Sequence, residues 1–220
     1  MSGIGGFIQP EAGGTEAQWY AVLDAMATIL RHRGPDAASV WLDLSAGLGL
    51  AHRQLATVDS SSVEAQPPWS GSGRYCIVFD GRIYNFRELA AGLHAAGMVP
   101  RGQGDPEVLL SAVDAWGLDR TLQRLRGMFA FALWDAQERV LHLVRDRLGE
   151  KPLYYGMCGG ALLFGSELKA LRQHPRWSGE ICRQSLTQLL RYGYIPEPRS
   201  IYRGIHKLPP GTYLSLSASK

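Results

Sequence analysis

The chain opens MSGIGGF, so Ser2 stands beside Gly3, Gly5 and Gly6 at the very start. Glycine carries no side chain, and this run gives the terminus room to approach a ligand closely. A hydroxyl so placed is a candidate nucleophile. Charged groups gather in two turn-like segments, Arg33 and Asp36 in RHRGPD and the run RDRLGEKP at 145–152. Arg33 and Asp36 read two ways: as lining for a site around residue 2, or as an ion pair in a turn that stops a helix. The second run reads as ion pairs that fix a strand junction. Other chemistries find no support. His32, His52, His94, His142, His174 and His206 show no H-x-x-x-H or similar spacing. Cys76, Cys158 and Cys182 are odd in number and lack metal-ligand spacing. The glycine-rich start lacks G-x-G-x-x-G and follows no strand, so it is no phosphate loop. Neither a metal nor a cofactor is expected.

The elements that must position these groups can be read from periodicity. The 220 residues are 45% hydrophobic and 20% charged, enough to bury a real core. A formal charge of +3 with scattered arginines gives no footprint for nucleic acid. No apolar run approaches a membrane span and no signal peptide is evident, so a reduced cytoplasmic setting is expected. GIGGFIQP reads as a short strand broken by glycines. Residues 18–31 form an amphipathic helix, with Tyr20, Leu23, Met26, Ile29 and Leu30 at helical spacing. Gly34 and Pro35 stop it. Two strands follow in SVWLDL and GLGLAHRQLATVD. YCIVFDGRIY reads as a hairpin with Asp80-Gly81 at its turn. Asn85 is expected to cap a helix to Ala96, with Glu88 completing a capping box. Asp105 is expected to cap a helix to Trp116, and 118–125 gives another. Strands MFAFALWD, RVLHLVRD, PLYYGM and ALLFGS come next, then helices at 168–173 and 184–192 and a final strand. Strand runs interleaved with helices predict an α+β fold, with helices layered on antiparallel sheets.

A set of blocks occurs in order: RHRGPD, LAHRQLATVD, FDGRIYNFRELA, GDPEVLL, LRGMFAFALWD, RDRLGEKPLYY, SELKAL and IHKLPPGTYL. Together they resemble the N-terminal half of glutamine-hydrolysing asparagine synthetases, a class II glutamine amidotransferase domain of the N-terminal-nucleophile (Ntn) hydrolase type. The resemblance implies a four-layer αββα sandwich of two antiparallel sheets. It also implies that 1–204 is the amidotransferase-like domain and that 205–220 is a linker and final strand leading toward an ATP-dependent synthetase domain. No SGG-type pyrophosphate loop of that domain occurs in the chain, and SGSGR at 70–74 is not one.

The family reaction, by this resemblance, hydrolyses the glutamine side-chain amide to glutamate and ammonia. A cysteine exposed by removal of Met1 attacks the amide, with its own α-amine as base. A thiol suits the task because part of it ionises near neutral pH. Here Ser2 holds that position. The family's carboxylate-gripping arginine falls on Gln54, a neutral amide in place of a bidentate cation. Arg53 is adjacent but points to the opposite face of the strand. The family's Asn-Gly-Glu turn reads Asp80-Gly81-Arg82. The Gly81 N–H remains as an oxyanion donor. Asp80 replaces the other donor with a carboxyl, and one lost oxyanion donor costs roughly 3 kcal/mol. Arg82 replaces an acid that attracts the substrate ammonium. Asp105 keeps its family identity as an ammonium partner, and Leu55 and Val58 are expected beside it as substrate-binding residues.

These departures, set against well-kept scaffold blocks, point to a pseudoenzyme: a degenerate glutaminase site kept as the structural or docking half of an amide-forming synthetase in amino-acid biosynthesis. One alternative is an active glutaminase using Ser2, or an engineered nucleophile change; another is a binding module with an altered pocket. Expected partners are glutamine or a related small molecule, held weakly, a synthetase domain or subunit, and a second copy of the chain. The docking face is expected to include Tyr194, Ile195, Pro196, Ile201 and Tyr202.

Overall fold

Strands that are apolar on both faces need cover on both sides, and that requirement organises this chain. The computed structural model describes residues 1–9, 13–56, 67–100, 102 and 104–218. The first sheet contains β1 (Gly3–Ile8), β2 (Ala37–Asp43), β3 (Leu48–Gln54), β7 (Tyr154–Cys158), β8 (Ala161–Gly165) and β9 (Ile205–Lys207), in the order β2-β3-β1-β8-β7-β9. The second contains β4 (Tyr75–Ile83), β5 (Gly127–Asp135), β6 (Val140–Arg145) and β10 (Tyr213–Ser217), in the order β10-β6-β5-β4. All pairings are antiparallel.

Alternate residues of each strand feed different layers. Ile4, Ile8, Leu48 and Leu50 of the first sheet meet Cys76, Val78, Ala132 and Trp134 of the second in the central core. Phe7 and Leu163 turn the other way, toward Trp19, Leu23 and Met26 of α1 (Glu16–Ile29) and Ala170 and Leu171 of α5 (Leu168–Leu171). Ile77, Phe79, Phe131 and Leu133 face Leu89 and Leu93 of α2 (Phe86–Ala95) and Val108 and Leu109 of α3 (Asp105–Trp116). Thr121 of α4 (Leu118–Arg124) is buried as well. The result is the expected four-layer αββα sandwich. α6 (Arg183–Tyr192) lies apart from these layers, and Ser185 is its one buried residue. Among the described residues no helix is long and apolar enough to cross a membrane.

Several local expectations are corrected, among them the cap at Asp105, which is the first residue of α3 with Gly104 as the N-cap. β1 is unbroken: a Cβ on Gly6 would fall 2.5 Å from Phe164 Cζ and 2.4 Å from the Gly49 carbonyl oxygen. Gly6 therefore accommodates the core rather than a ligand. α1 turns Trp19 inward, leaving Tyr20 and Ile29 exposed. It begins two residues earlier than periodicity predicts because Thr15 and Gln18 form a capping box. Asp80-Gly81 is no turn: β4 runs straight through, with Asp80 opposite Ala130 and Gly81 opposite Phe129. Full pairing with β5 outweighs the local turn preference of the dipeptide. Asn85 does not cap α2 with its side chain; it donates to the Arg124 carbonyl and accepts from the Arg126 N–H, both at 3.0 Å.

Candidate functional site

β1 starts at Gly3, which places Ser2 at the N-terminal end of a central strand of the first sheet. Two contacts fix it. The Leu55 N–H donates to Ser2 Oγ (3.2 Å), and Arg33 Nε donates to the Ser2 carbonyl (2.8 Å). Leu55 is available because β3 ends at Gln54, whose carbonyl accepts from the Asp36 N–H (3.2 Å). Asp36 then receives the Ala56 N–H (2.7 Å). Arg53 ties the same turn from outside, donating to the Gly34 and Pro35 carbonyls. Asp36 and Arg53 thus shape the loop, while Arg33 reaches the nucleophile position.

Arg33 also reaches across to the second sheet. Its Nη2 donates to Asp80 Oδ2 (3.0 Å), and Lys151 Nζ stands 3.5 Å from Asp80 Oδ1. All three side chains are buried, Asp80 to 1% exposure. Burial pushes the Asp80 carboxyl above the usual aspartate range, while Lys151 and Arg33 pull it back. The charge network continues outward: Arg33 also holds Glu167 (3.2 Å), which holds His32 (2.8 Å) and Lys169 (3.1 Å). The Met1 amine belongs to the same field. Burial is the largest cause lowering it from its ordinary value, Asp80 opposes, and Lys151 and Arg33 reinforce.

Next along β4, Gly81 leaves no space for a side chain: a Cβ there would lie 2.2 Å from the Met128 carbonyl oxygen. Arg82 Nη1 stands 3.5 Å from Asp105 Oδ2. That carboxylate also accepts the Ile83 N–H (3.1 Å) from within the first turn of α3. Burial pushes the Asp105 carboxyl upward, against the backbone bond from Ile83 and the charge of Arg82. The described part of the site therefore gathers Ser2, Leu55, Arg33, Asp80 and Lys151, with Gly81, Arg82 and Asp105 following on β4 and α3. Gln54 ends β3 beside Leu55. Val58 lies outside the described residues. Sequence reading missed Lys151. Its segment is charged and turn-like, and nothing local says that Lys151, rather than Arg147, turns inward toward Asp80. Asp146 does the shaping, accepting the Leu148, Glu150 and Lys151 N–H groups. His52, next to the site on β3, is buried; its Nε2 bonds the Phe79 carbonyl (3.0 Å), and desolvation lowers its pKa to about 4.

Chemically, this is a hydroxyl at a chain terminus beside a buried pair of cations sharing one carboxylate. The chain belongs to the glutamine amidotransferase domain family, which it matches over residues 1–220. The sandwich is that of the Ntn-hydrolase amidotransferases. It superposes on a glutamine phosphoribosylpyrophosphate amidotransferase from Bacillus subtilis complexed with ADP and GMP, with a TM-score of 0.62 at 20% identity over 77% of this chain and 43% of that one. In sequence it is similar to a putative glutamine-hydrolysing asparagine synthetase of Mycobacterium tuberculosis, 34% identical over all of this chain and 36% of that protein. The glutamine-hydrolysing asparagine synthetase 3 of Bacillus subtilis is 35% identical over 89% of this chain and 32% of that protein. The chain thus spans about a third of the length of these relatives.

Proposed function

We propose that this domain has lost most or all glutamine hydrolysis and serves as the structural half of an amide-forming synthetase. The observation that carries the reading is the Arg33–Asp80–Lys151 cluster. In the family pattern, position 80 donates a hydrogen bond to the oxyanion of the tetrahedral intermediate. Here it is a carboxyl group whose acceptor oxygens face two cations inside the protein. An ionised Asp80 repels a developing oxyanion, so the site lacks both the thiol and one electrostatic stabiliser. The ammonium subsite is altered as well, because Arg82 stands against Asp105. Gln54 supplies no cation for a substrate carboxylate.

A second reading has one observation in its favour. The Ser2 hydroxyl is already fixed by the Leu55 N–H (3.2 Å) at the terminus, where the α-amine freed by Met1 removal would stand beside it as base. One assay separates the two. Protein whose Met1 removal is verified by mass spectrometry is given saturating glutamine, and ammonia is measured. The expected outcome is release near background. A kcat near the roughly 10 per second typical of enzymes overturns the proposal.

A further inference from the structure

α6 carries an apolar stripe that the domain does not cover. Leu186, Leu189 and Leu190 recur at the i, i+3, i+4 spacing of one helix face, and all three are exposed, Leu190 to 80%. Tyr192 closes the helix and Tyr194 follows it, both exposed, with their rings 6.4 Å apart. The expected docking residues behave differently. Tyr202 packs edge-on against Trp177 at 4.9 Å, the backbone of Ile201 accepts from the Cys182 N–H, and Ile195 and Pro196 are half-buried. Only Tyr194 of that set stands free of the domain's own core, so the exposed apolar surface is centred on the helix.

A ten-residue helix is marginal in water without tertiary cover. A set of leucines and tyrosines open to solvent marks an interaction surface. We infer that the Leu186–Leu189–Leu190 face of α6, with Tyr192 and Tyr194, is the seat of the synthetase portion of the assembled protein. This rests on the reading of the domain as half of a synthetase. Two observations select that occupant. The relatives carry about two thirds of their length outside the region this chain matches, so in them a larger body must abut a domain of this kind. The helix also carries two exposed cations, Arg183 at its start and Arg191 in its last turn, and no carboxylate. That pattern fits an apolar groove with an acidic rim, the helix-in-groove mode, and disfavours a second, equally basic α6 facing it across a two-fold axis.

Hydrogen exchange tests this on the assembled protein, this domain together with its synthetase portion in one polypeptide or two. Amides of 183–194 are expected to exchange at least about tenfold more slowly there than in the 220-residue domain alone. Leu190→Glu, at a solvent-facing position that does not disturb the core, is expected to remove that protection, and Leu186→Glu to do the same. Unchanged circular dichroism verifies folding of both variants. Equal exchange in the two samples, or protection that Leu190→Glu leaves intact, overturns the inference. So does a dimer of the isolated domain, seen by light scattering, that Leu190→Glu dissolves. Ammonia release is measured on the same samples. Release at enzyme rates with α6 protected sinks the lost-glutaminase reading alone; background release with α6 unprotected sinks the docking face alone.

Discussion

Arg33 joins Ser2 to Asp80: one guanidinium donates to the carbonyl of the candidate nucleophile at 2.8 Å and to the buried carboxylate at 3.0 Å. The terminus of the first sheet and the middle of the second are thereby held by the same side chain. Removing it leaves Asp80 buried with only the looser Lys151 contact. Arg33→Ala is expected to lower unfolding stability by about 3 kcal/mol, measured by urea denaturation, since breaking a buried pair on one side strands the other charge. Arg33→Lys is expected to recover part of this, because an ammonium cannot serve both acceptors as a planar fork does.

Restoring the thiol alone is expected to fail. Ser2→Cys leaves Asp80 against the oxyanion position, Gln54 without charge and Arg82 beside Asp105. Ammonia release from this variant should stay near that of the parent. The quadruple variant Ser2→Cys, Gln54→Arg, Asp80→Asn and Arg82→Glu should gain both glutamine binding by calorimetry and turnover. Recovery from Ser2→Cys by itself would show that the other three positions are tolerated. Micromolar glutamine binding by the parent protein would contradict the roles given to Gln54 and Arg82.

Two neighbouring glycines should respond oppositely to alanine. At Gly5 an added Cβ meets nothing closer than 3.7 Å, so Gly5→Ala should be near neutral in thermal unfolding. At Gly6 the same atom lies 2.4 Å from the Gly49 carbonyl oxygen, a backbone atom that cannot step aside. Gly6→Ala should cost roughly 3 kcal/mol or more by overpacking. Equal effects at the two sites would refute this account of β1.

Stability should fall as the solution is acidified from pH 6.5 toward 4. His52 and His174 are both buried, and desolvation lowers each from 6.5 to about 4. In that interval the unfolded chain takes up protons that the native state refuses, so the unfolded state binds more and stability rises with pH. The contribution is complete above pH 6.5 and gone below about 4. Each histidine accounts for on the order of 3 kcal/mol at most. His52→Gln should flatten the urea midpoint across this window relative to the parent, and a parent profile already flat from pH 4 to 6.5 would contradict it.

What could be read from the sequence was whatever local pattern governs. The order of helices and strands pointed to helices layered on antiparallel sheets because burial periodicity is written along the chain, and the αββα sandwich itself came from the resemblance that the ordered motif blocks carry. The departures at positions 2, 54, 80 and 82 were legible too, being matters of residue identity. Local pattern failed where a distant partner decided the outcome. Asp80-Gly81 has the chemistry of a turn, yet pairing with β5 keeps it extended. Tyr20 and Trp19 are adjacent and both suit a core, and only the position of Phe7 and His174, whose rings lie 5.2 and 5.6 Å from that of Trp19, makes Trp19 the buried one. Lys151 could not be told from any other turn lysine until the loop capped by Asp146 aimed it at a carboxylate seventy-one positions earlier in the chain. Charge compensation inside a protein is a property of spacing in three dimensions, and sequence distance carries no record of it.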